Sequence, residues 1–230
     1  MITDADLDGI SGWFYPPDPM LFRFFLELSE HRCGVADLAE IGCCFGKSSV
    51  LIGEYRRSGE EFTVVDLFED PAPDPSNFTE NRRDYGDLTE SAFRANYARF
   101  HSSPPRILRM DSPAARPILA QRRYRFVHID GSHLYRIVRD DIETARNILV
   151  DNGIVAMDDY RSEHTPGVAA AAWTAARDGL RIVALSPTKL YGTWGDPRPW
   201  RSALHTRLLD SGVSFQTQEI FDDEIIRVIG

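Results

Sequence analysis

Acidic side chains follow two short apolar segments in the middle of the chain. Asp130 comes directly after Phe126 to Ile129, and Asp158 and Asp159 come directly after Gly153 to Met157. Carboxylates that lie close together repel one another, and a hard divalent cation with oxygen ligands is the simplest way to neutralise them. These three aspartates are therefore candidate ligands of a divalent metal, with magnesium as the expected ion.

A glycine-containing turn follows an earlier apolar segment. Residues 40–46 read Glu-Ile-Gly-Cys-Cys-Phe-Gly, and Gly42 and Gly46 allow a tight turn and a close approach of the backbone to a ligand before a helix begins. A dinucleotide site would require Gly-x-Gly-x-x-Gly, so the spacing disfavours an NAD-dependent oxidoreductase. The carboxylate of Glu40 would repel a phosphate and suits a positively charged ligand group, either directly or through water.

Two further apolar segments also end in acidic residues. Asp66 ends the segment that begins at Phe62, and its carboxylate could accept hydrogen bonds from both hydroxyls of a ribose. Asp111 and Ser112 follow the segment Ile107 to Met110, where they could meet an adenine. Three successive segments with acidic ends are a more specific signal for a nucleoside-containing ligand than any one of them.

The elements that hold these side chains follow from the spacing of apolar residues. Strands are expected near residues 36–41, 62–67, 106–110, 125–130 and 153–158, and helices near residues 47–57, 89–100, 134–149 and 167–177. Alternating strands and helices predict a parallel sheet with crossover helices. Such a sheet delivers the acidic strand ends to its carboxyl edge.

The pattern changes after residue 180. Residues 180–185 are strand-like, residues 200–209 indicate a helix, and residues 214–220 and 224–229 indicate an antiparallel hairpin. We therefore predict an α/β fold: Rossmann-like, doubly wound, with a mostly parallel sheet and an antiparallel C-terminal edge. Residues 1–34 are expected to form an N-terminal arm and helix, residues 35–230 the main domain, and the proline-rich residues 70–87 an insertion.

Over residues 35–160 the chain resembles the class I S-adenosylmethionine-dependent methyltransferases, through the glycine turn and the acidic strand ends. The resemblance assigns the binding residues by ligand part: the methionine end to Glu40, Gly42 and Gly46, the ribose to Asp66, and the adenine to Asp111 and Ser112. Cys44 stands where many members have a glycine.

A second resemblance concerns the possible metal site. Asp130-Gly131-x-His133 followed by Asp158-Asp159 is similar to the magnesium-dependent sugar O-methyltransferases of antibiotic pathways. It implies that the three aspartates bind the metal and that His133 is the general base. The metal would hold vicinal hydroxyls and lower the pKa of the attacking one, and a histidine is suited to take that proton near neutral pH. The expected substrate is a hydroxyl of a small molecule, a sugar or polyol of a secondary metabolite or glycan.

Other interpretations stay open. A catechol-like phenol also offers two adjacent oxygens to a metal. A scaffold that binds S-adenosylmethionine without turnover would keep the same fold. Asp158, Asp159 and His133 could instead cap the helices that follow them.

Three interpretations concern residues outside the predicted site. His128 lies inside an apolar strand and is expected to be a satisfied core histidine. Asp140 and Asp141 are expected on the solvated side of their helix. The aromatic run from Trp13 to Tyr15 could stack on a substrate or close the site against water, or could simply anchor the packing.

The composition limits the partners and the location. The formal net charge of the 230-residue chain is −9, which argues against a nucleic-acid partner. No segment has the length and apolarity of a membrane span, and the first residues do not resemble a secretory signal. The three cysteines, two of them adjacent, fit no disulfide framework. We expect a cytoplasmic enzyme that acts on a small molecule, without membrane or nucleic-acid partners; assembly into a homo-oligomer stays open.

Overall fold

The computed structural model describes residues 1–76 and 86–229. Of the predicted insertion at residues 70–87, residues 77–85 therefore lie outside the described part of the chain. The described residues form nine strands and eight helices around one sheet.

The strands are β1 (Asp37–Ile41), β2 (Phe62–Asp66), β3 (Arg106–Arg109), β4 (Tyr124–Ile129), β5 (Leu149–Met157), β6 (Arg181–Leu185), β7 (Leu190–Thr193), β8 (Phe215–Ile220) and β9 (Asp223–Val228). The helices are α1 (Asp4–Asp8), α2 (Asp18–Arg32), α3 (Lys47–Glu54), α4 (Glu90–Ala98), α5 (Ser112–Leu119), α6 (Tyr135–Ile148), α7 (Pro166–Arg177) and α8 (Arg198–Ser211).

The strand order in the sheet is β3-β2-β1-β4-β5-β7-β6-β9-β8. Strands β1 to β5 pair in parallel with one another, whereas β7 runs antiparallel to β5 and β6, and β8 runs antiparallel to β9. The prediction of a mostly parallel sheet with an antiparallel C-terminal edge is confirmed. The strand order reverses at β1, which has β2 on one side and β4 on the other. In open α/β sheets, ligands bind in the crevice at such a switch point.

Helices cover both faces of the sheet, each face with its own apolar cluster. Successive side chains of a strand point to opposite faces. Along β4, Phe126 joins the cluster packed by α2, α3, α4 and α8, and Val127 joins the cluster packed by α5, α6 and α7. The fold is therefore doubly wound, as predicted.

Helix α2 is tied to the sheet by a buried arginine. The guanidinium of Arg125, on β4, donates to the carbonyl oxygen of Leu26 at 3.0 Å and to Oγ of Ser29 at 2.6 Å. Its other nitrogens donate to both carboxylate oxygens of Glu60, which is also buried. This network fixes the helix that precedes β1, and with it the N-terminal segment that reaches the carboxyl end of the sheet.

Three elements, α1, α5 and β7, were not predicted from the sequence. Helix α5 contains Pro113 in its first turn and Pro117 inside it, and β7 is four residues long and contains Gly192. Proline and glycine lower the helix and strand signals, although a proline in the first turn of a helix removes no hydrogen bond. None of the helices in the described part of the chain has the length and apolarity needed to cross a membrane.

Candidate active site

A cavity of about 770 Å³ opens at the carboxyl ends of the parallel strands. This volume lies toward the upper end of the usual range for ligand sites, about 300–1,000 Å³. Residues that follow each of β1 to β5 line the cavity, together with the N-terminal run Trp13 to Tyr15. Eight of the ten predicted site residues are in its wall: Gly42, Asp66, Asp111, Ser112, Asp130, His133, Asp158 and Asp159.

The turn after β1 brings two backbones into contact. The N–H of Asp130 donates to the carbonyl oxygen of Ile41 at 2.8 Å, and a Cβ added to Gly42 would lie 2.0 Å from the carbonyl oxygen of Asp130. Gly42 also has a φ of +82°, in the left-handed region. Only glycine fits here. Cys44 has a φ of 47°, in the left-handed region that glycine adopts most readily.

Asp66 holds this turn in place. Its Oδ2 accepts hydrogen bonds from the backbone N–H groups of Cys43 at 2.8 Å and Cys44 at 3.0 Å, and its Oδ1 accepts one from Phe68 at 2.7 Å. Burial raises the pKa of Asp66, although these hydrogen bonds oppose that shift. A carboxylate offers about four acceptor positions, and these three N–H groups and the Cys43 side chain are all partners of Asp66.

Glu40 lies behind the cavity wall instead of in it. The side chain is fully buried and accepts hydrogen bonds from Oγ of Ser48 at 2.5 Å and from Oγ of Ser49. The same carboxylate lies 2.8 Å from Nδ1 of His128. Gly46, at the start of α3, is also outside the wall. In the described structure these two predicted cofactor residues therefore support the site from behind.

The end of β3 leads directly into α5. Asp111 caps this helix by accepting a hydrogen bond from the N–H of Ala114 at 3.2 Å, and its side chain still borders the cavity. Ser112 hydrogen-bonds to Asp141 of α6. The expectation of a solvated Asp141 is wrong, because the residue is only 2% exposed. Burial raises the pKa of Asp141 to about 7, although the hydrogen bond from Ser112 opposes the shift.

Asp130 and Asp158 lie side by side at the ends of β4 and β5. The N–H of Asp158 donates to the carbonyl oxygen of Ile129 at 3.0 Å, which continues the parallel pairing into the site. Burial raises the pKa of Asp130 well above its usual range, and the neighbouring carboxylate of Asp158 adds to the shift. The ammonium of the buried Lys189 forms an ion pair with Asp158. Lys189 could not be predicted from a sequence pattern, since it approaches from the turn between β6 and β7.

Asp159 has different partners. Its Oδ2 lies 3.3 Å from Nε2 of His133, and Oγ of Ser162 donates to its other oxygen at 2.5 Å. Although burial acts in the opposite direction, hydrogen bonds from His133 and Ser162 lower the pKa of Asp159. The predicted group of three aspartates is thus divided into an Asp130–Asp158 pair and an Asp159–His133 pair.

Helix capping does not explain these residues. The cap position of α6 is Leu134 and that of α7 is Thr165, and neither helix has a side-chain hydrogen bond at its cap. Within the described ranges, His133, Asp158 and Asp159 are therefore not the capping residues that the alternative interpretation required.

His128 completes a set of metal-ligating groups that the sequence interpretation missed. Among the described residues, one group of potential ligand atoms lies within 4.8 Å of one another, and it comes from His128, Asp130 and Asp158. Two carboxylates and an imidazole are an ordinary donor set for a divalent cation, so these residues fit a metal. A signal was present, because His128 and Asp130 are two residues apart and project from the same face of their strand.

Comparisons with known proteins agree with this architecture. A family model described as a methyltransferase domain matches residues 39–160, more than half of the chain. The structure of the O-methyltransferase NovP is 18% identical, with 77% of this chain and 79% of NovP covered and a TM-score of 0.60. CalS11, a TDP-rhamnose 3′-O-methyltransferase of calicheamicin biosynthesis, is also 18% identical, with 77% and 80% covered and a TM-score of 0.52.

A third similar structure is the O-methyltransferase TomG from Streptomyces achromogenes, solved in complex with SAM; it is 13% identical, with 80% of this chain and 82% of TomG covered and a TM-score of 0.54. No curated protein matches the sequence significantly. At these identities the structural matches establish the fold, and the family model establishes the family. The chain therefore belongs to the methyltransferase domain family and has the Rossmann-like fold of the class I S-adenosylmethionine-dependent O-methyltransferases.

Proposed function

We propose that the protein is a divalent-metal-dependent O-methyltransferase that moves the methyl group of S-adenosylmethionine to a hydroxyl of a small molecule, a sugar or polyol of a secondary metabolite or glycan. The observation that carries the proposal is the single cavity that contains both the Gly42–Asp66 turn and the cluster of Asp130, Asp158 and His133. Residues 35–230 would form the catalytic domain, and residues 1–34 would complete the cavity wall.

The half of the cavity at β1 to β3 suits the cofactor. Gly42 lines the place for the methionine part, Asp66 the place for the ribose, and Asp111 and Ser112 the place for the adenine. TomG, which shares this fold, was solved with SAM bound.

The half of the cavity at β4 and β5 suits the methyl acceptor. A divalent cation held by Asp130 and Asp158 would lower the pKa of a substrate hydroxyl. His133 takes the hydroxyl proton, and the ionised Asp159 beside it stabilises the imidazolium that results. The substrate oxygen then bonds to the methyl carbon as the carbon–sulfur bond breaks, and S-adenosylhomocysteine leaves.

The choice of a sugar or polyol is supported by CalS11, which by its name methylates a TDP-rhamnose. A catechol-like phenol is a second candidate, favoured by the exposed rings of Trp13 and Tyr15 at the cavity wall. Aromatic rings stack on the planar ring of a phenol. We also place the enzyme in the cytoplasm. Its three cysteines are free, and cysteines stay reduced in that compartment.

The test is a methyl-transfer assay with isotopically labelled S-adenosylmethionine and parallel panels of nucleotide sugars, polyols and catechols. We expect labelled product from a sugar or polyol, loss of turnover after chelation, and recovery when a divalent cation is restored. Product from catechols alone would favour the second candidate. Binding of S-adenosylmethionine with no transfer to any panel member would favour a non-catalytic scaffold, and full turnover after exhaustive chelation would refute the metal requirement.

A further inference from the structure

We propose that Nε2 of His128 is a ligand of the metal, so that the site is a mixed nitrogen and oxygen site suited to a first-row transition-metal ion such as Zn²⁺, Fe²⁺ or Ni²⁺ rather than an all-oxygen magnesium site. The inference rests on the proposed function, because it concerns the same metal. It changes the ligand set expected from the sequence, replacing Asp159 with His128.

The ring of His128 is buried, with one nitrogen left without a partner among the described residues. The side chain is fully buried, and within the described part of the chain its Nε2 has no hydrogen-bond partner. A buried polar atom without a partner is costly and rare in a native protein. A ligand nitrogen of this residue lies within 4.8 Å of carboxylate oxygens of both Asp130 and Asp158. Metal–ligand bonds of about 2.0–2.2 Å allow one ion to join atoms up to about 4.4 Å apart, so a contraction of at most about 0.4 Å would bring all three atoms to one ion.

The other ring nitrogen of His128, Nδ1, has Glu40 as its partner. Nδ1 of His128 lies 2.8 Å from Oε1 of Glu40, and both residues are fully buried. A carboxylate accepts, so Nδ1 carries the proton and the lone pair of Nε2 is directed to the opposite side of the ring. Metal-binding histidines almost always donate their second N–H in this way, which fixes the ring and raises its basicity. Glu40 would then be a positioning residue for the metal ligand.

Several acidic side chains surround the single ammonium of Lys189. The carboxyl groups of Asp18, Asp130 and Asp158 all act on the ammonium of Lys189, and Asp159 and Glu40 are further acidic groups near Asp130. Asp18 is buried and accepts hydrogen bonds from Thr188 and Tyr191. Lys189 therefore holds Asp158 without neutralising the cluster. A cation beside Asp130 and Asp158 would offset the repulsion between these neighbouring carboxyl groups.

The donor set determines the preferred ion. Magnesium takes oxygen ligands and keeps several waters, whereas imidazole nitrogen favours zinc, copper, iron and nickel. Asp130 and Asp158 line the cavity while His128 lies buried beneath it. A cation held by these three residues would be reachable from the cavity, as a catalytic metal must be.

The test uses Mn²⁺ as the probe and the full chain. Pulsed electron paramagnetic resonance of the Mn²⁺-loaded protein detects a directly bound nitrogen, and protein made with ¹⁵N-histidine shows whether that nitrogen belongs to an imidazole. In the wild type we expect the Mn²⁺ signal to show coupling to one histidine nitrogen. The same coupling should remain in His133→Ala, which lacks the other imidazole that could bind the metal. We expect the coupling to vanish in His128→Gln. Glu40→Gln should keep the coupling but weaken Mn²⁺ affinity by about 10- to 100-fold, and His205→Gln, an exposed histidine of α8, should change neither.

The outcomes separate this inference from the proposed function. Mn²⁺ bound without histidine coupling, or coupling lost in His133→Ala, would overturn the role of His128 and leave an oxygen-ligated metal site intact. No Mn²⁺ binding by a protein that still binds S-adenosylhomocysteine would overturn both this inference and the metal requirement. Should His128→Gln fail to fold, the labelled wild type and His133→Ala still decide the question.

Discussion

Nε2 of His133 lies 3.3 Å from Oδ2 of Asp159, and both side chains line the cavity. The pKa of Asp159 is lowered, so this carboxylate is ionised near neutral pH. A carboxylate in contact with a histidine orients the ring and stabilises its protonated form. The pair is therefore arranged as a base with its orienting group, although the sequence suggested that Asp159 binds metal.

Replacement of His133 tests the base directly. We expect His133→Ala to slow methyl transfer by roughly 10²- to 10⁴-fold, the usual effect of losing a positioned acid or base, with nearly unchanged binding of metal and cofactor. Single-turnover rates and calorimetry measure the two effects separately. His101→Ala serves as a control outside the cavity. Wild-type single-turnover rates in His133→Ala across the pH range would mean that another group takes the proton.

Replacement of Asp66 tests the cofactor half of the cavity. Asp66→Ala should weaken binding of S-adenosylhomocysteine by about 1–3 kcal/mol, the scale of a hydrogen bond to a charged group. The same change removes the acceptor for three backbone N–H groups of the turn and should lower the thermal midpoint. Asp151→Ala, an exposed acid, is the control. Unchanged affinity in calorimetry would remove Asp66 from the ribose site.

Comparing Gly42→Ala with Gly59→Ala tests the tight backbone contact between the ends of β1 and β4. Both have a positive φ, +82° and +87°, but an added Cβ meets the backbone of Asp130 only at Gly42. Gly42→Ala should lower the free energy of unfolding by roughly 1–3 kcal/mol more than Gly59→Ala, as overpacking does. Urea unfolding measures both. Equal losses in the two variants would show that the backbone conformation alone, and not the contact with Asp130, requires glycine.

Asp141 gives the protein a pH dependence. Its pKa of about 7 in the folded state exceeds the ordinary value of 3.8, so the folded protein binds more protons between these values. Stability should therefore fall as pH rises from about 4 through 7. Asp141→Asn should flatten this fall and raise the thermal midpoint at pH 8, whereas Asp140→Asn, on the adjacent half-exposed residue, should keep the wild-type profile. Identical pH profiles for Asp141→Asn and the wild type would contradict the assignment.

Much of the fold was predictable because its signals are local. The apolar runs before Asp66, Asp130 and Asp158 mark strand ends, and parallel strands must bring those ends to one edge. The partners of each side chain were not predictable in the same way. Asp159 follows the same strand as Asp158, yet its backbone has a φ of 58° and its carboxylate meets His133. Only the folded backbone distinguishes these two neighbours.

The partners of buried polar groups could not be predicted from the sequence either. Periodicity on α6 could not show that Asp141 meets Ser112, because that contact depends on how α5 and α6 pack. Lys189 reaches Asp158 from a turn 31 residues farther along the chain. Such long-range pairs decide which acids remain available for a metal.

The central claim is that one cavity holds the methyl donor and a divalent cation side by side. The most direct measurement is a crystal structure grown with S-adenosylhomocysteine and Mn²⁺, with anomalous data collected at the manganese absorption edge. The account predicts cofactor density from Gly42 to Asp111, with the ribose at Asp66, and an anomalous peak in contact with Asp130 and Asp158. Cofactor density outside this cavity, or an anomalous map without a peak at those two aspartates, would contradict it.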